Sequence, residues 1–295
     1  MGKIAADLQR ALAHRAEGSG PGQTTARVLA QGDGWSITDV ICTSGPRDRP
    51  FEERHAEFRI AVVVAGSFQY RSAKGRALMT PGCLLLASAE DTFECAHDHD
   101  SGDRCLSFGY APVYFERLAA GMPAMRSELN FPIVYVPPLR EFSPLIARAS
   151  AGLAKSAAVR WEELSIQMAA AAISQARGIP RAATQAPPAA LARVTQAVRM
   201  IERQPDANLS IETLSRELRL SPYHFLRTFQ SVTGVTPHQY ILRRRLRKAA
   251  IRLAEEPSSQ VVDVALDCGF GDLSNFNHAF RAEFGVSPRA YRRML

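Results

Sequence analysis

The chain has 295 residues, of which 46% are hydrophobic and 22% are charged, a composition typical of globular proteins and long enough for two domains. No stretch approaches the ~18 consecutive apolar residues of a membrane span, and the N-terminus lacks the apolar run of a secretion signal. The sequence therefore predicts a cytoplasmic protein without a membrane partner. The five cysteines, at positions 42, 83, 95, 105 and 268, form no CxxC pair, which argues against a disulfide framework and against a zinc finger.

The excess positive charge lies in the last part of the chain. Residues 1–180 carry 19 basic and 19 acidic side chains, whereas residues 181–295 carry 17 basic and 10 acidic ones, which accounts for the whole net charge of +7. A basic segment joined to a neutral one is expected of a polyanion-binding module attached to a regulatory domain.

The first half of the chain changes its pattern twice. Residues 1–24 are polar, with a Gly-Ser-Gly-Pro-Gly breaker at 18–22, which predicts a flexible N-terminus or a short helix. Residues 25–137 carry short apolar runs separated by glycine and proline turns, a pattern typical of an antiparallel β-barrel or sandwich.

The middle of the chain predicts helices and then a linker. Residues 138–178 show a helical period and form two amphipathic helices. These helices carry more apolar surface than a connection needs, so they either pair two subunits, the interpretation we favour, or cover the β domain of their own chain. The proline- and alanine-rich residues 179–189 predict a linker, and residues 190–295 are helical throughout.

The C-terminal part contains an internal repeat at a spacing of 51 residues. The matched pairs are Phe225 and Phe276, Phe229 and Phe280, Gly234 and Gly285, Val235 and Val286, Pro237 and Pro288, and Tyr240 and Tyr291. Such a register indicates two copies of one supersecondary unit.

Each copy predicts a helix, a tight turn and a second helix. Ser210, Ser221 and Asp272 are suited to cap helix N-termini, with Pro222 at the first helical position. Gly269 suits the left-handed backbone of a sharp turn. In each copy, two phenylalanines four residues apart are expected to bury one face of the second helix.

A predicted helix from 237 to about 254 joins the two copies and carries the basic run Arg243–Lys248. Two helix-turn-helix units on a rigid connection can present recognition helices to successive major grooves, which lie ~34 Å apart on one face of DNA. Outward Arg, Asn, Ser and His side chains can bond base edges. We expect part of the basic run to contact phosphates.

The segment Leu209 to Arg292 resembles the DNA-binding domain of the AraC/XylS family of bacterial transcription regulators. The resemblance is carried by LSPYHFLRTF at 220–229, GVTP at 234–237, ALDCGF at 265–270 and FRAEFGVSPRAYR at 280–292. It implies an all-α, seven-helix domain that binds double-stranded promoter DNA and often contacts RNA polymerase. The sequence departs from the family pattern at Ser215 and Arg219, where the family has small residues, and at His278, where arginine is common.

The candidate DNA-contacting residues are those on the outer faces of the two second helices. They are Tyr223, His224, Leu226, Arg227 and Gln230 in the first unit, and Leu273, Ser274, Asn275, Asn277, His278 and Arg281 in the second.

For the N-terminal half, the resemblance implies a cupin-like β-barrel with a helical hairpin. Such a domain senses a signal, so a small-molecule effector is a possible partner, and its helices often pair two subunits into a homodimer. The predicted function is a sequence-specific transcription regulator controlled by an unknown signal at this domain.

One cluster in the β domain suggests a metal site: Cys95, His97 and His99, with Asp103, Cys105 and His55 as neighbours. A His-x-His pair on a strand would place both rings on one face. The usual cupin pattern of His-x-His, a glutamate and a later histidine is not matched. A solvated polar loop or a set of fold-stabilising hydrogen bonds is therefore the preferred interpretation, and no metal or cofactor is predicted.

Other functional classes have less support in the sequence. It has no phosphate-binding glycine loop, no Gly-x-Ser-x-Gly elbow and no His-Glu-x-x-His, so we predict no enzyme. A metal-dependent cupin enzyme and a non-specific architectural DNA binder remain the alternatives. A DNA-repair methyl-transferring protein would need a four-cysteine zinc site, which the spacings do not supply.

Overall fold

The computed structural model describes residues 3–18, 20–50, 52–121, 130–154, 158–179, 186–206 and 209–294. The chain forms two compact units, each assembled from two segments. One, the β unit, comprises Lys3–Pro137 and Arg160–Pro187; the other, the helical unit, comprises Pro138–Val159 and Pro188–Leu295. None of the helices in the described ranges is both long and apolar enough to cross a membrane.

Two antiparallel sheets form the body of the β unit. The strands are β1 (Thr24–Gly32), β2 (Trp35–Cys42), β3 (Glu52–Arg54), β4 (Phe58–Gly66), β5 (Phe68–Ser72), β6 (Gly75–Met79), β7 (Leu84–Ala87), β8 (Thr92–Ala96), β9 (Asp103–Tyr110) and β10 (Tyr135–Val136). One sheet has the order β1-β2-β9-β4-β7-β10 and the other the order β3-β8-β5-β6. Two such sheets are the arrangement of double-sheet folds, to which cupins belong. The predicted antiparallel β domain is confirmed.

Strand β9 is buried along its whole length because both of its faces are covered. Cys105 points into the core between the two sheets, with Phe68 and Tyr70 of β5. On the opposite face, Arg104 donates bidentate hydrogen bonds of 2.8 and 2.9 Å to the buried Asp39 of β2. This pairing offsets the large cost of burying either charge alone.

Three helices cover the sheets: α1 (Lys3–Gly18), α2 (Pro112–Ala120) and α4 (Trp161–Gly178), whereas α3 (Ser143–Leu153) belongs to the helical unit. Of the two expectations for residues 1–24, a flexible N-terminus or a short helix, the structure shows the helix, α1, over most of that segment. Ile4 and Leu8 of α1 are buried, and Arg104 donates to the Ile4 carbonyl oxygen at 2.9 Å and to Asp7 at 2.8 Å. Arg104, which anchors α1, lies about a hundred positions away in the sequence, so local sequence patterns do not reveal this contact.

The two helices predicted over 138–178 are present as α3 and α4, but they belong to different compact units and not to one hairpin of the β domain. Helix α3 packs against the C-terminal helices, where Ala147 joins their hydrophobic core. Helix α4 packs on the β unit, and the Tyr110 hydroxyl donates to the Ser165 carbonyl oxygen at 2.8 Å. The apolar face of each helix is therefore buried within its own chain. Assembly into a homodimer stays a prediction, but the apolar faces of α3 and α4 no longer support it.

Seven helices lie in the C-terminal part of the helical unit, counted over the described residues 186–206 and 209–294, as the resemblance implied. They are α5 (Pro188–Arg203), α6 (Ile211–Glu217), α7 (Pro222–Thr233), α8 (Pro237–Glu255), α9 (Val261–Asp267), α10 (Leu273–Phe284) and α11 (Pro288–Arg293). Helix α5 begins inside the predicted linker 179–189, of which residues 180–185 lie outside the described residues.

Candidate DNA-binding surface

The first helix-turn-helix unit consists of α6 and α7, and local chemistry sets its ends. The Ser210 hydroxyl accepts a hydrogen bond from the Thr213 amide at 3.1 Å, and the Ser221 hydroxyl accepts one from the His224 amide at 3.3 Å. Pro222 opens α7, where its missing N–H costs nothing. Gly234 ends α7 with φ of 70°, a conformation that favours glycine.

The second unit, α9 and α10, repeats this design. Asp272 caps α10 by accepting from the Asn275 amide at 2.7 Å, and Gly285 ends it with φ of 76°. The second helices keep the 51-residue register, since α7 begins at 222 and α10 at 273. The first helices are offset by 50 residues, since α6 begins at 211 and α9 at 261, so the second turn holds one extra residue.

The same aromatic triad anchors both recognition helices. Phe229 lies 5.7 Å from both Phe225 and Tyr240, measured between ring centroids. In the second unit, Phe280 lies 5.4 Å from Phe276 and 5.5 Å from Tyr291. The four phenylalanines are fully buried, as the sequence predicted. These contacts hold one face of each helix inward and leave the other to solvent.

The candidate DNA-contacting residues lie on that outer face. Ten of the eleven are exposed, and Leu226 is half-buried; the exposed ones are Tyr223, His224, Arg227 and Gln230 on α7, and Leu273, Ser274, Asn275, Asn277, His278 and Arg281 on α10. Arg227 is held by its neighbour one turn earlier: its Nη1 donates to the Tyr223 hydroxyl at 3.3 Å, and its guanidinium carbon lies 5.7 Å from the Tyr223 ring centroid.

The structure does not support the expectation that part of the basic run Arg243–Lys248 contacts phosphates. None of its six residues is exposed. Its cations bond inside the helical unit, to these acceptors: Arg243 to the Pro138 carbonyl at 2.7 Å, Arg244 to the Glu202 carboxylate, Arg245 to the Pro205 carbonyl at 2.7 Å, and Lys248 to the Asp267 carbonyl at 2.9 Å. Helix α8 is therefore fastened by its cations to the segments around it.

Other cations of the helical unit remain available to a polyanion. The exposed arginines at its surface include Arg193, Arg216, Arg219, Arg227, Arg281, Arg289 and Arg293. Because phosphate contacts need exposed charge, these residues replace the α8 run as candidates. Sequence reasoning named Arg227 and Arg281 but missed the other five, because it weighted the density of charge along the chain instead of its exposure.

The turns of the two units differ in strain. Gly269 has φ of +85°, and a Cβ there would lie 2.8 Å from the Asp206 Cα, so only glycine fits. The equivalent residue of the first unit, Arg219, has φ of +53°. Ser215 fills the small-residue position, where it is buried and its hydroxyl donates to the Glu212 carbonyl at 3.2 Å.

The metal candidates of the β unit are arranged differently from the predicted set. His97 and His99 lie beyond the end of β8, so strand alternation does not apply to them. His97 is buried and its Nε2 lies 2.8 Å from Asp103 Oδ1, whereas His99 is half-buried in a bend. Cys42, which the sequence did not single out, joins His97 and Asp103. Burial and the Asp103 carboxylate raise the pKa of the Cys42 thiol.

Comparisons with known proteins converge on the helical unit. The family model described as "Helix-turn-helix domain" matches residues 214–294. The probable transcriptional regulator LumQ of Photobacterium leiognathi is 40% identical over 94 residues, which are 31% of this chain and 37% of LumQ. The chain thus spans little more than a third of that relative's length.

A shorter relative is matched almost completely. The regulatory protein SoxS of Salmonella typhimurium is 33% identical over 100 residues, which are 33% of this chain and 91% of SoxS. Among solved structures, the DNA-binding domain of AdpA in complex with a target DNA is 30% identical, with 35% of this chain and 91% of that chain covered and a TM-score of 0.33. Since SoxS is matched over nearly its whole length, this chain belongs to the AraC/XylS family of transcription regulators.

Proposed function

We propose that the chain is a transcription regulator that binds double-stranded promoter DNA sequence-specifically and reads two adjacent major grooves. The observation that carries the proposal is the pair of recognition helices, α7 and α10, each capped, anchored by an aromatic triad and exposed on a face that carries arginine and amide side chains. Arginine can bond two acceptors of guanine, and asparagine two of adenine.

The connection between the two units supports bipartite reading. Helix α8 has 19 residues, about 28 Å at 1.5 Å per residue. Successive major grooves on one DNA face are ~34 Å apart, so a rigid element of this length suits two neighbouring grooves. Two short sequence blocks about one helical turn apart are therefore the expected target.

The remaining parts of the proposal concern control. The β unit would bind a signal, such as a small-molecule effector. The effector would change DNA binding because its affinity differs between two states of the protein. Contact with RNA polymerase and assembly into a homodimer belong to the same proposal, which places the protein in the cytoplasm, where promoters are. No catalytic step is assigned to the chain.

The test is selection of bound sequences from a random duplex pool with the full chain at physiological salt. We expect two enriched blocks, and Arg227→Ala should relax base preference at one position of one block while Arg281→Ala does so in the other. Arg193→Ala, an exposed arginine on α5, should leave both blocks intact. Salt-sensitive binding with no enriched block would refute sequence reading and favour the non-specific architectural binder.

A further inference from the structure

A cluster of metal-binding side chains lies inside the β unit. Cys42 ends β2 and Asp103 begins β9, and these two residues are paired across the strands. Directly paired residues of antiparallel strands point to the same face of a sheet. His97 follows β8, which belongs to the other sheet, so the cluster collects ligands from both sheets.

The donor atoms are close enough for one ion. The Cys42 Sγ, a ring nitrogen of His97 and a carboxylate oxygen of Asp103 all lie within 4.8 Å of one another. His97 and Asp103 are more than nine-tenths buried, with exposures of 6% and 5%. Around a tetrahedral zinc ion with bonds of about 2.0–2.3 Å, donor atoms are separated by roughly 3.3–3.7 Å. Small side-chain rotations suffice, with the ion replacing the His97–Asp103 hydrogen bond.

The surroundings of the cluster support a metal in two ways. The Cys105 thiol donates to Asp103 Oδ2 at 3.3 Å, which leaves Oδ1 to face His97 and resembles the outer-shell bonds that orient carboxylate ligands. Cys42 is half-buried, so the cluster is partly accessible to solvent on the side of this ligand, whereas His97 and Asp103 are buried. Phe68, which belongs to the apolar core between the sheets, lies 6.1 Å from the His97 ring, measured between ring centroids.

We propose that Cys42, His97 and Asp103 bind a divalent transition-metal ion of the zinc type, with the fourth position open to solvent or to an added ligand. A set of sulfur, imidazole and carboxylate donors selects zinc-like ions over Mg²⁺ and Ca²⁺, which prefer oxygen alone. The inference goes beyond the proposed function, because ion binding within the β unit requires no DNA. Occupancy would join β2 and β9 of one sheet to the end of β8 in the other.

The experiment uses the full chain, stripped with a chelator and titrated with Co²⁺, which replaces zinc and absorbs visible light. We expect saturation at one ion per chain, the strong visible bands of tetrahedral cobalt and a thiolate-to-cobalt charge-transfer band. Added Zn²⁺ should remove both. Zinc should also raise the melting temperature of the stripped protein, because only the folded chain holds the three ligands together.

Variants separate these ligands from the cluster suggested by the sequence. Cys42→Ala should abolish the charge-transfer band, and Asp103→Asn should weaken Co²⁺ binding more than about tenfold while keeping that band. The matched controls His99→Ala and Cys95→Ala should bind Co²⁺ as the wild type does. Circular dichroism of each variant verifies that it is folded.

Two outcomes would overturn the proposal. One is a wild-type titration with no charge-transfer band; the other is a band of full intensity in Cys42→Ala. X-ray absorption of the wild-type zinc complex provides a check that needs no variant. One sulfur with nitrogen or oxygen neighbours is the expected coordination, and a zinc ion bound by oxygen alone would contradict it.

Discussion

Tyr240 and Tyr291 occupy equivalent positions in the two helix-turn-helix units, but their hydroxyl groups differ in partners. The Tyr240 hydroxyl lies 3.2 Å from Oε1 of Glu202 and donates to it. The buried Tyr291 hydroxyl has no hydrogen-bond partner among the described residues, and burial raises its pKa to about 12. The repeat thus places the same side chain in two different electrostatic environments.

This difference predicts opposite responses to removal of the two hydroxyl groups. Tyr240→Phe should lower the free energy of unfolding by about 1 kcal/mol, because Glu202 loses a donor. Tyr291→Phe should leave it unchanged or raise it by up to about 1 kcal/mol, because an unpaired buried hydroxyl is costly. Urea denaturation followed by circular dichroism measures both. Equal losses in the two variants would show that Tyr291 has a partner.

The two turns predict a second pair of opposite effects. Arg219→Gly removes about 1–2 kcal/mol of left-handed strain and adds about 0.5–1 kcal/mol of backbone entropy cost, so it should stabilise by up to about 1.5 kcal/mol. Gly269→Ala should destabilise by more than about 1 kcal/mol, because its Cβ would meet the Asp206 backbone. Thermal melts test both, with Gly271→Ala as control, since a Cβ there meets nothing within 4 Å.

Because the cations of α8 bond within the helical unit, removing one of them should lower the stability of the protein without removing a phosphate contact. Arg244→Ala should cost about 1.5–3 kcal/mol of unfolding free energy, because Glu202 loses a charged partner. Below the melting temperature, the salt dependence of its DNA affinity should match the wild type. Arg289→Ala, which removes an exposed arginine of α11, serves as the comparison and should reduce that salt dependence instead. A reduced slope in Arg244→Ala at unchanged stability would refute the structural role.

His55 predicts sensitivity of the β unit to acid. Its ring stacks on Phe93 at 3.9 Å and its Nε2 lies 3.1 Å from the Tyr70 hydroxyl. Burial and then the charge of Arg59 lower its pKa from 6.5 to about 4, so the folded state keeps the ring neutral.

The sign of the effect follows from proton uptake. Below pH 6.5 the unfolded chain protonates this histidine while the folded chain does not, so unfolding becomes easier as pH falls towards 4. His55→Phe keeps a stacking ring and cannot titrate. Urea denaturation across this interval should therefore show a steeper loss of stability in the wild type than in the variant. Parallel curves would show that His55 does not contribute.

Arg227 predicts a loss of discrimination rather than a uniform loss of affinity. Arg227→Ala should cost roughly 1–3 kcal/mol on the selected sequence and less on sequences changed at one base position. Tyr223→Phe keeps the ring beside the guanidinium but removes the 3.3 Å hydrogen bond, so it should lose less. Binding titrations against single-base variants of the site measure both. An equal loss on every sequence would mean that Arg227 touches only phosphate.

Local chemistry explains what the sequence predicted correctly. Several features depend only on neighbours within four residues, so the sequence alone predicts them. They are the caps at Ser210, Ser221 and Asp272, the turn at Gly269 and the start of α7 at Pro222. The buried phenylalanine pairs follow from helical periodicity in the same way. The candidate DNA-contacting residues are the complement of those buried faces, and their contact with DNA stays a prediction.

Features that depend on distant partners were missed. The acceptors that bond the cations of the α8 run, such as Glu202, lie about forty positions away in the sequence. Cys42 lies beside Asp103 only because β2 pairs with β9 in the observed register. The two middle helices share an amphipathic period, and nothing in that period says that α3 belongs to one unit and α4 to the other. In each of these cases the structure depends on contacts between residues that are far apart in the sequence.

The placement of α3 has a consequence for exchanging modules between regulators. The helical unit is discontinuous, because residues 138–159 and 188–295 are separated by α4. A chimaera joined at the linker would carry α5 to α11 but leave behind Ser143, whose hydroxyl bonds Glu283, and Ala147, which fills the core. A graft that keeps the unit whole needs residues 138–159 as well, and therefore three junctions instead of one.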